Sequence, residues 1–213
     1  MTALVRYLAA DVLRGQRFLA PLLVYCGVLG MLFFDDPGPA LQAYAGSCAL
    51  IYPITAWLAV VIATSEDQAR REITVVTAGG WRPVLGAVAV LSALFTVVLA
   101  VMATLLPVLT NTRPYQVSWV LAGFAAHVVC GFLGTGVGLL FARPVLRSIG
   151  HTVLAVFGVV VLTYPLGPRS PLGWVLDMFG ADRVSTALVW SGLASVVLVV
   201  AAVLLGLRAT RRT

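Results

Sequence analysis

Six stretches of this chain are apolar for long enough to cross a membrane as helices, and little other than a bundle of spanning helices accommodates them. They run roughly over Phe18–Phe34, Ala40–Thr64, Val84–Leu109, Val117–Ala142, Ile149–Pro165 and Ser185–Leu207. A spanning helix needs about 20 mostly apolar residues, because the hydrocarbon core is ~30 Å thick and a helix rises ~1.5 Å per residue. Unpaired backbone groups are costly in lipid, so runs of this length read as helices. The first and fifth are the shortest and imply a different tilt or a locally thinner bilayer. Composition supports the reading: 61% of the chain is hydrophobic, against roughly 45–50% in soluble domains. A water-soluble fold of 213 residues has no interior large enough to hide that surface. The expected fold is therefore all-α: one polytopic transmembrane domain over residues 1–213.

Orientation follows from arginine. All 14 basic residues are Arg and Lys is absent, which we read as a genomic coding bias. With the N-terminus inside, the inner segments carry Arg6, Arg14, Arg17, Arg70, Arg71, Arg82, Arg143, Arg147, Arg208, Arg211 and Arg212, and the outer ones Arg113, Arg169 and Arg183. That asymmetry is the positive-inside pattern, and six spans return the C-terminus to the same side. Asp35 and Asp36 then fall outside. The expected location is the bacterial cytoplasmic membrane, with both termini in the cytosol. The net charge of +6 does not imply nucleic acid, because the arginines sit at the ends of apolar runs. Cys26, Cys48 and Cys130 all lie in apolar stretches and suggest neither a disulfide framework nor a metal site. The first apolar run ends without a small-residue cleavage site, so it reads as a span rather than a signal peptide.

Four linking segments have character of their own. In Thr2–Arg17, a helical rotation of ~100° per residue places Arg6, Asp11, Arg14 and Arg17 on one arc and Leu4, Val5, Leu8, Val12 and Leu13 on the other. This predicts an amphipathic helix on the inner membrane surface, over residues 1–17. The second segment, Ser65–Pro83, is polar; the third is a short inner turn, Arg143–Gly150. The fourth, Leu166–Val184, combines Pro168, Pro171, Gly173 and Gly180 with Trp174, Val175, Leu176, Met178 and Phe179. It predicts short re-entrant helices in the outer leaflet, with Trp174 at the headgroups.

Several chemistries are missing. No Asp, Glu or Arg lies in the middle of a span, which disfavours a proton- or ion-driven carrier. A Walker A loop requires Lys, so this chain cannot bind ATP that way. No H-E-x-x-H or G-x-S-x-G occurs, and no catalytic or metal-ligating set is assigned. His127 has two readings: a hydrogen-bonded tie between helices or a ligand contact. Gly131, Gly134, Gly136 and Gly138 imitate a nucleotide fingerprint, but no strand precedes them; close helix approach is the reading we carry forward. Pro53 and Pro107 are expected to kink or loosen their helices.

Ser65–Pro83 is the most informative segment. Ser65 with Gln68 has the spacing of a capping box. Glu66–Arg70 and Asp67–Arg71 are favourable i,i+4 pairs. Gly79 and Gly80 supply a stop, and Pro83 opens the next span. Ala69, Ile73 and Val76 form an apolar ridge suited to a groove on a cytosolic partner; the same features also suit a plain linker at the lipid surface.

Taken together, these features resemble the permease subunits of type 2 ATP-binding-cassette (ABC) exporters. The resemblance covers essentially the whole chain: a surface helix, six spans, a charged element after the second span and short re-entrant helices before the sixth. The family's coupling segment has the order Glu, Arg, Gly, Arg, which Glu66, Arg70, Gly79 and Arg82 follow. Its run of Leu after the Glu is missing here, where Ile73, Val75 and Val76 stand instead.

The resemblance implies a permease that is not itself an enzyme. It would pair with a second permease chain, identical or not, and with cytosolic ATPase subunits that bind ATP and Mg. The ATPase-coupling residues would be Glu66, Asp67, Arg70, Arg71, Glu72, Ile73, Val76 and Arg82. A hydrophobic or amphipathic cargo, of drug, antibiotic or small-peptide type, would pass an apolar path with a few polar points, for which Tyr52, Thr55, Thr96 and His127 are candidates. The resemblance also implies that the first and fifth spans form the dimer interface, with Gly27, Gly30, Gly150 and Gly158 as close-approach positions. The alternative is a non-transporting membrane scaffold or immunity protein that needs no ATPase.

Overall fold

The computed structural model describes residues 1–34, 40–110, 115–142, 145–146, 148–180 and 186–210, all helix or short connection without a strand among them. In chain order the helices are α1 (Thr2–Gly15), α2 (Leu19–Leu32), α3 (Ala40–Ala63), α4 (Gln68–Thr77), α5 (Trp81–Thr110), α6 (Val117–Phe141), α7 (Ile149–Thr163), α8 (Pro171–Gly180) and α9 (Thr186–Thr210), with a 3₁₀ turn at Gly167–Arg169 before α8. Four of these, α3, α5, α6 and α9, are long and apolar enough to cross a membrane. The chain therefore has the build of an integral membrane protein. The first and fifth apolar runs form α2 and α7, helices of 14 and 15 residues. At ~1.5 Å per residue each falls short of a ~30 Å hydrocarbon core. Asp35, Asp36, Asn111, Arg113 and Arg183, expected outside, and Arg143, Arg147, Arg211 and Arg212, expected inside, lie outside the described residues.

α6 is the axis of the bundle, packed most extensively on α3 and next on α9. Its glycines explain how. A Cβ at Gly134 would strike the Tyr52 carbonyl and the Thr55 hydroxyl, one at Gly138 the Ala56 carbonyl, and one at Gly123 the Tyr44 ring, all on α3. On the other sides, Gly131 admits Thr96 of α5 and Gly136 admits Leu198 of α9. Lipid tails are as apolar as Leu, so helices in a membrane associate through close backbone approach and interhelical hydrogen bonds. The glycine-rich stretch serves that end.

α1 buries Leu8 and Val12, half-buries Leu4 and Val5, and packs against the start of α5. Leu13, expected on the apolar arc, is instead exposed, because it lies at ~180° of helical rotation from Leu4. Gln16 ends α1 in the left-handed region, at φ 54°, and α2 leaves at 74° to α1. The chain therefore turns sharply between the two helices.

Neither proline breaks its helix: α3 runs through Pro53 and α5 through Pro107. Pro53 lacks an N–H and so leaves the Ala49 carbonyl, four residues earlier, without its helical partner. The Tyr164 hydroxyl, at the end of α7, donates to that carbonyl at 2.6 Å. A neighbouring helix thus repairs the gap, as tolerated prolines in membranes require.

Candidate functional site

The strongest candidate lies at the end of the bundle where α4 joins α3 to α5. α4 is bounded by its own sequence. Its N-cap is Asp67, whose carboxylate accepts from the Arg70 amide at 2.8 Å. The expected Ser65–Gln68 capping box does not form. α3 continues its hydrogen bonding past Ala63, with the Ser65 amide bonded to the Ile62 carbonyl at 3.3 Å. The Ser65 hydroxyl donates to the same carbonyl at 3.1 Å. Asp67 is the extended residue that opens α4, at ψ 168°. At the other end, the Gly80 amide reaches the Val75 carbonyl at 2.8 Å and the Gly79 amide the Val76 carbonyl at 3.3 Å. That double bond pattern requires a left-handed residue, which Gly79 supplies at φ 79°.

The charged residues of this element are arranged differently from their helical spacing. Glu66 precedes the cap and folds inward; it is only 3% exposed and accepts from the Thr74 hydroxyl at 2.8 Å. The expected Glu66–Arg70 pair is replaced by an ion pair between Arg70 and Asp11 of α1, at 3.7 Å. The Arg71 guanidinium donates back to the Ala63 carbonyl. These ties fix α4 to the ends of α1 and α3. Asp67, Arg70, Glu72 and Arg82 face solvent. So does the apolar ridge: Ala69 is exposed, and Ile73 and Val76 are 65% and 80% exposed. α4 thus presents an exposed apolar ridge on a helix tied to α1 through Arg70 and to the end of α3 through Arg71.

The interior candidates lie elsewhere. His127 is fully buried between α6 and α3. Its Nδ1 lies 2.7 Å from the Gly123 carbonyl, an acceptor only, so Nδ1 carries the proton. Nε2 meets the Ser47 hydroxyl at 2.8 Å, and the Tyr44 ring stands edge-on at 5.5 Å. Both nitrogens are engaged. Thr96 pairs with Thr135 of α6 at 2.8 Å. Thr55 bonds back to the Ile51 carbonyl at 2.8 Å on its own helix. Tyr52 reaches Thr163 of α7 at 3.1 Å and lines an open apolar cleft with Leu172, Leu198 and Arg169. The four residues do not line one common space: Tyr52 faces this cleft, while the other three are enclosed by helix neighbours.

Gly27, Gly30, Gly150 and Gly158 point away from the chain's own helices; a Cβ would meet nothing nearer than 3.9 Å at any of them. Leu23 and Met31 of α2, with Leu154 and Phe157 of α7, share those bare outer faces. Between α7 and α9, the segment Leu166–Val184 holds the 3₁₀ turn and α8 within its described part. Ser170 caps α8 by accepting from the Gly173 amide at 3.0 Å, and Pro171 opens the helix. Leu172, Val175, Met178 and Phe179 are buried, against α3 and α9. The Trp174 indole N–H donates to the Pro168 carbonyl at 2.6 Å. Among the described residues no three His, Cys, Asp or Glu side chains gather as a metal site.

Among the ties that sequence reasoning missed are Asp11–Arg70 and Tyr164–Ala49. The first had a signal, since Asp11 is the only acid before Asp35. The second had one in Pro53, which announces an orphan carbonyl but not its partner. Comparison of the chain with protein-family models, with curated proteins and with solved structures finds no match.

Proposed function

We propose that this protein is the permease subunit of an ATP-driven exporter of the type 2 ABC kind, with α4 as the element that receives work from a separate ATPase. The observation that carries the reading is the anchored, exposed ridge of Ala69, Ile73 and Val76 on a helix joining two spanning helices. In this reading the chain spans the bacterial cytoplasmic membrane six times. α2 and α7 cross with tilt or local thinning, both termini lie in the cytosol, and the 3₁₀ turn with α8 re-enters the outer leaflet. ATP and Mg bind the partner ATPase; closure of that partner pushes α4, and α3 and α5 move with it. A second permease chain meets the bare faces of α2 and α7. The cargo is a hydrophobic or amphipathic small molecule or peptide.

The decisive experiment expresses the chain with the ATPase encoded beside it. A stable complex, with hydrolysis stimulated by a drug or peptide cargo, supports the reading. Cysteines at positions 27, 30, 150 and 158 should cross-link between chains. External labelling should reach cysteines placed near Asp35, Asn111 and Arg169 but not at Arg70 or Arg147. Absence of any adjacent ATPase, or labelling at Arg70 from outside, sinks it. The second reading, a scaffold or immunity protein without an ATPase, is favoured by one observation. Thr55, Thr96 and His127 each spend their hydrogen bonds on neighbouring helix atoms.

A further inference from the structure

Beside α4 lies a second feature, a basic cavity that shares only Arg70 with the coupling residues proposed above. Arg14 and Arg17, Ser65, and Arg70 with Asp11 surround a cavity of about 450 Å³ where α1 ends and α3 gives way to α4, with Val12 and Val61 among its walls. Three guanidiniums against one carboxylate leave the cavity with two uncompensated positive charges. Asp11 is already engaged by Arg70 at 3.7 Å. Among the described residues, Arg14 and Arg17 have no carboxylate within ion-pairing distance.

We propose that this cavity binds the phosphate of an anionic membrane phospholipid, holding the head group between Arg14, Arg17 and Arg70. The chemistry fits: guanidinium forks match phosphate oxygens, and the Ser65 hydroxyl lies at the rim as a further polar group. The position fits a lipid rather than a free ion. Arg14 and Arg17 flank the 74° bend between the flat α1 and the inward-turning α2, the level at which head groups lie. Immediately beyond Arg17, α2 presents exposed Leu19 and Leu23, along which an acyl chain can run. Basic pockets at the membrane interface take anionic head groups in this way. A bound phosphate would also bridge α1 to α4 through Arg70, so lipid composition would set how firmly α4 is held. The proposal rests on the membrane placement above but not on an ATPase, and its test involves none; failure of one leaves the other standing.

The test uses the full chain, delipidated in neutral detergent, with phosphatidylglycerol, phosphatidylcholine or inorganic phosphate added. Native mass spectrometry reads retained lipid and thermal unfolding reads stabilisation. Phosphatidylglycerol should be retained and should raise the unfolding temperature; phosphatidylcholine and inorganic phosphate should do neither. Replacing both Arg14→Gln and Arg17→Gln should weaken phosphatidylglycerol binding about thirtyfold, the factor for two arginines at about 1 kcal/mol each near anionic lipid. Arg14→Lys with Arg17→Lys should recover part of the binding lost in the Gln pair, because the charge returns without the guanidinium fork; no recovery would mean that the Gln pair had damaged the fold and would overturn the assignment to these two charges. Arg6→Gln, on the same helix but outside the cavity, should change little. Equal loss in Arg6→Gln would mean diffuse surface attraction and overturn the site. Equal stabilisation by inorganic phosphate would overturn the lipid, and equal retention of phosphatidylcholine would overturn anion recognition altogether.

Discussion

The α3–α6 seam and the α4 element are both built from small, polar and β-branched residues, yet they use them in opposite ways. In the seam, Gly134 and Gly138 bring backbone against backbone, and His127, Ser47 and Tyr44 close a hydrogen-bonded cluster with nothing left over. At α4, the polar residues secure the helix from below through Glu66–Thr74 and Arg70–Asp11, while Ile73 and Val76 are left bare. The contrast teaches where to look for work done on a partner. A seam with every group satisfied determines the fold, whereas an anchored element with unsatisfied apolar surface is available for something else.

The largest effect should come from adding one methyl group to the seam. Gly134→Ala places a Cβ against the Tyr52 carbonyl and the Thr55 hydroxyl, one of which is backbone and cannot rotate away. Gly192→Ala on α9 meets only a Val129 methyl at 3.7 Å, an ordinary contact. The first should lose about 3 kcal/mol by overpacking and the second should stay within about 0.5 kcal/mol. Detergent-titration unfolding followed by tryptophan fluorescence measures both. Equal stabilities would mean that the seam is loose and the contrast with α4 is unfounded.

His127→Leu is the next step down. The Ser47 hydroxyl keeps the Tyr44 carbonyl as an alternative acceptor at 3.2 Å, so the loss should be about 1 kcal/mol, the ordinary scale of a hydrogen bond between membrane helices. Any transport should fall only as far as membrane abundance falls. A variant of normal abundance that has lost transport would make His127 a ligand contact instead of a tie.

Tyr164→Phe tests the repair beneath Pro53. It leaves the Ala49 carbonyl without a donor and should cost about 0.6 kcal/mol. In a Pro53→Ala background the restored N–H reclaims that carbonyl, so the same substitution should then cost less. A double-mutant cycle with no coupling would detach Tyr164 from Pro53.

How much of this was legible depends on what each feature needs to know. The apolar run Val84–Leu109 marks α5, and Thr2–Arg17 marks α1, because length and periodicity are properties of one segment read alone. The end of α3 was not legible: hydropathy stops near Thr64, but hydrogen bonding carries through Ser65, and this moved the cap to Asp67. Glu66 reads as a surface charge by composition; its burial depends on Thr74, eight residues on and across a helix start. Which neighbour each α6 glycine admits depends on helix rotation, which the partner sets. The bareness of Ile73 and Val76 was legible, because their ridge had no apolar partner within the segment.

The smallest effect on the fold should come from Ile73→Asp, and it sharpens the comparison most. The side chain is 65% exposed, so a carboxylate there stays hydrated and Arg70 lies one turn away. Ile and Asp have similar, modest helix propensities, and unfolding should shift by no more than about 0.5 kcal/mol. If α4 docks into a groove, the same carboxylate must be desolvated on binding. That costs about 3 kcal/mol, on the order of a hundredfold in affinity for the ATPase. Arg70→Glu perturbs orientation by a different route, since it sets a second carboxylate against Asp11. Both variants should stay membrane-inserted while ATPase co-purification and cargo-stimulated hydrolysis fall. Normal association in both would make α4 a linker whose ridge simply rests at the lipid surface. The difference between the two regions would then be one of burial and not of function.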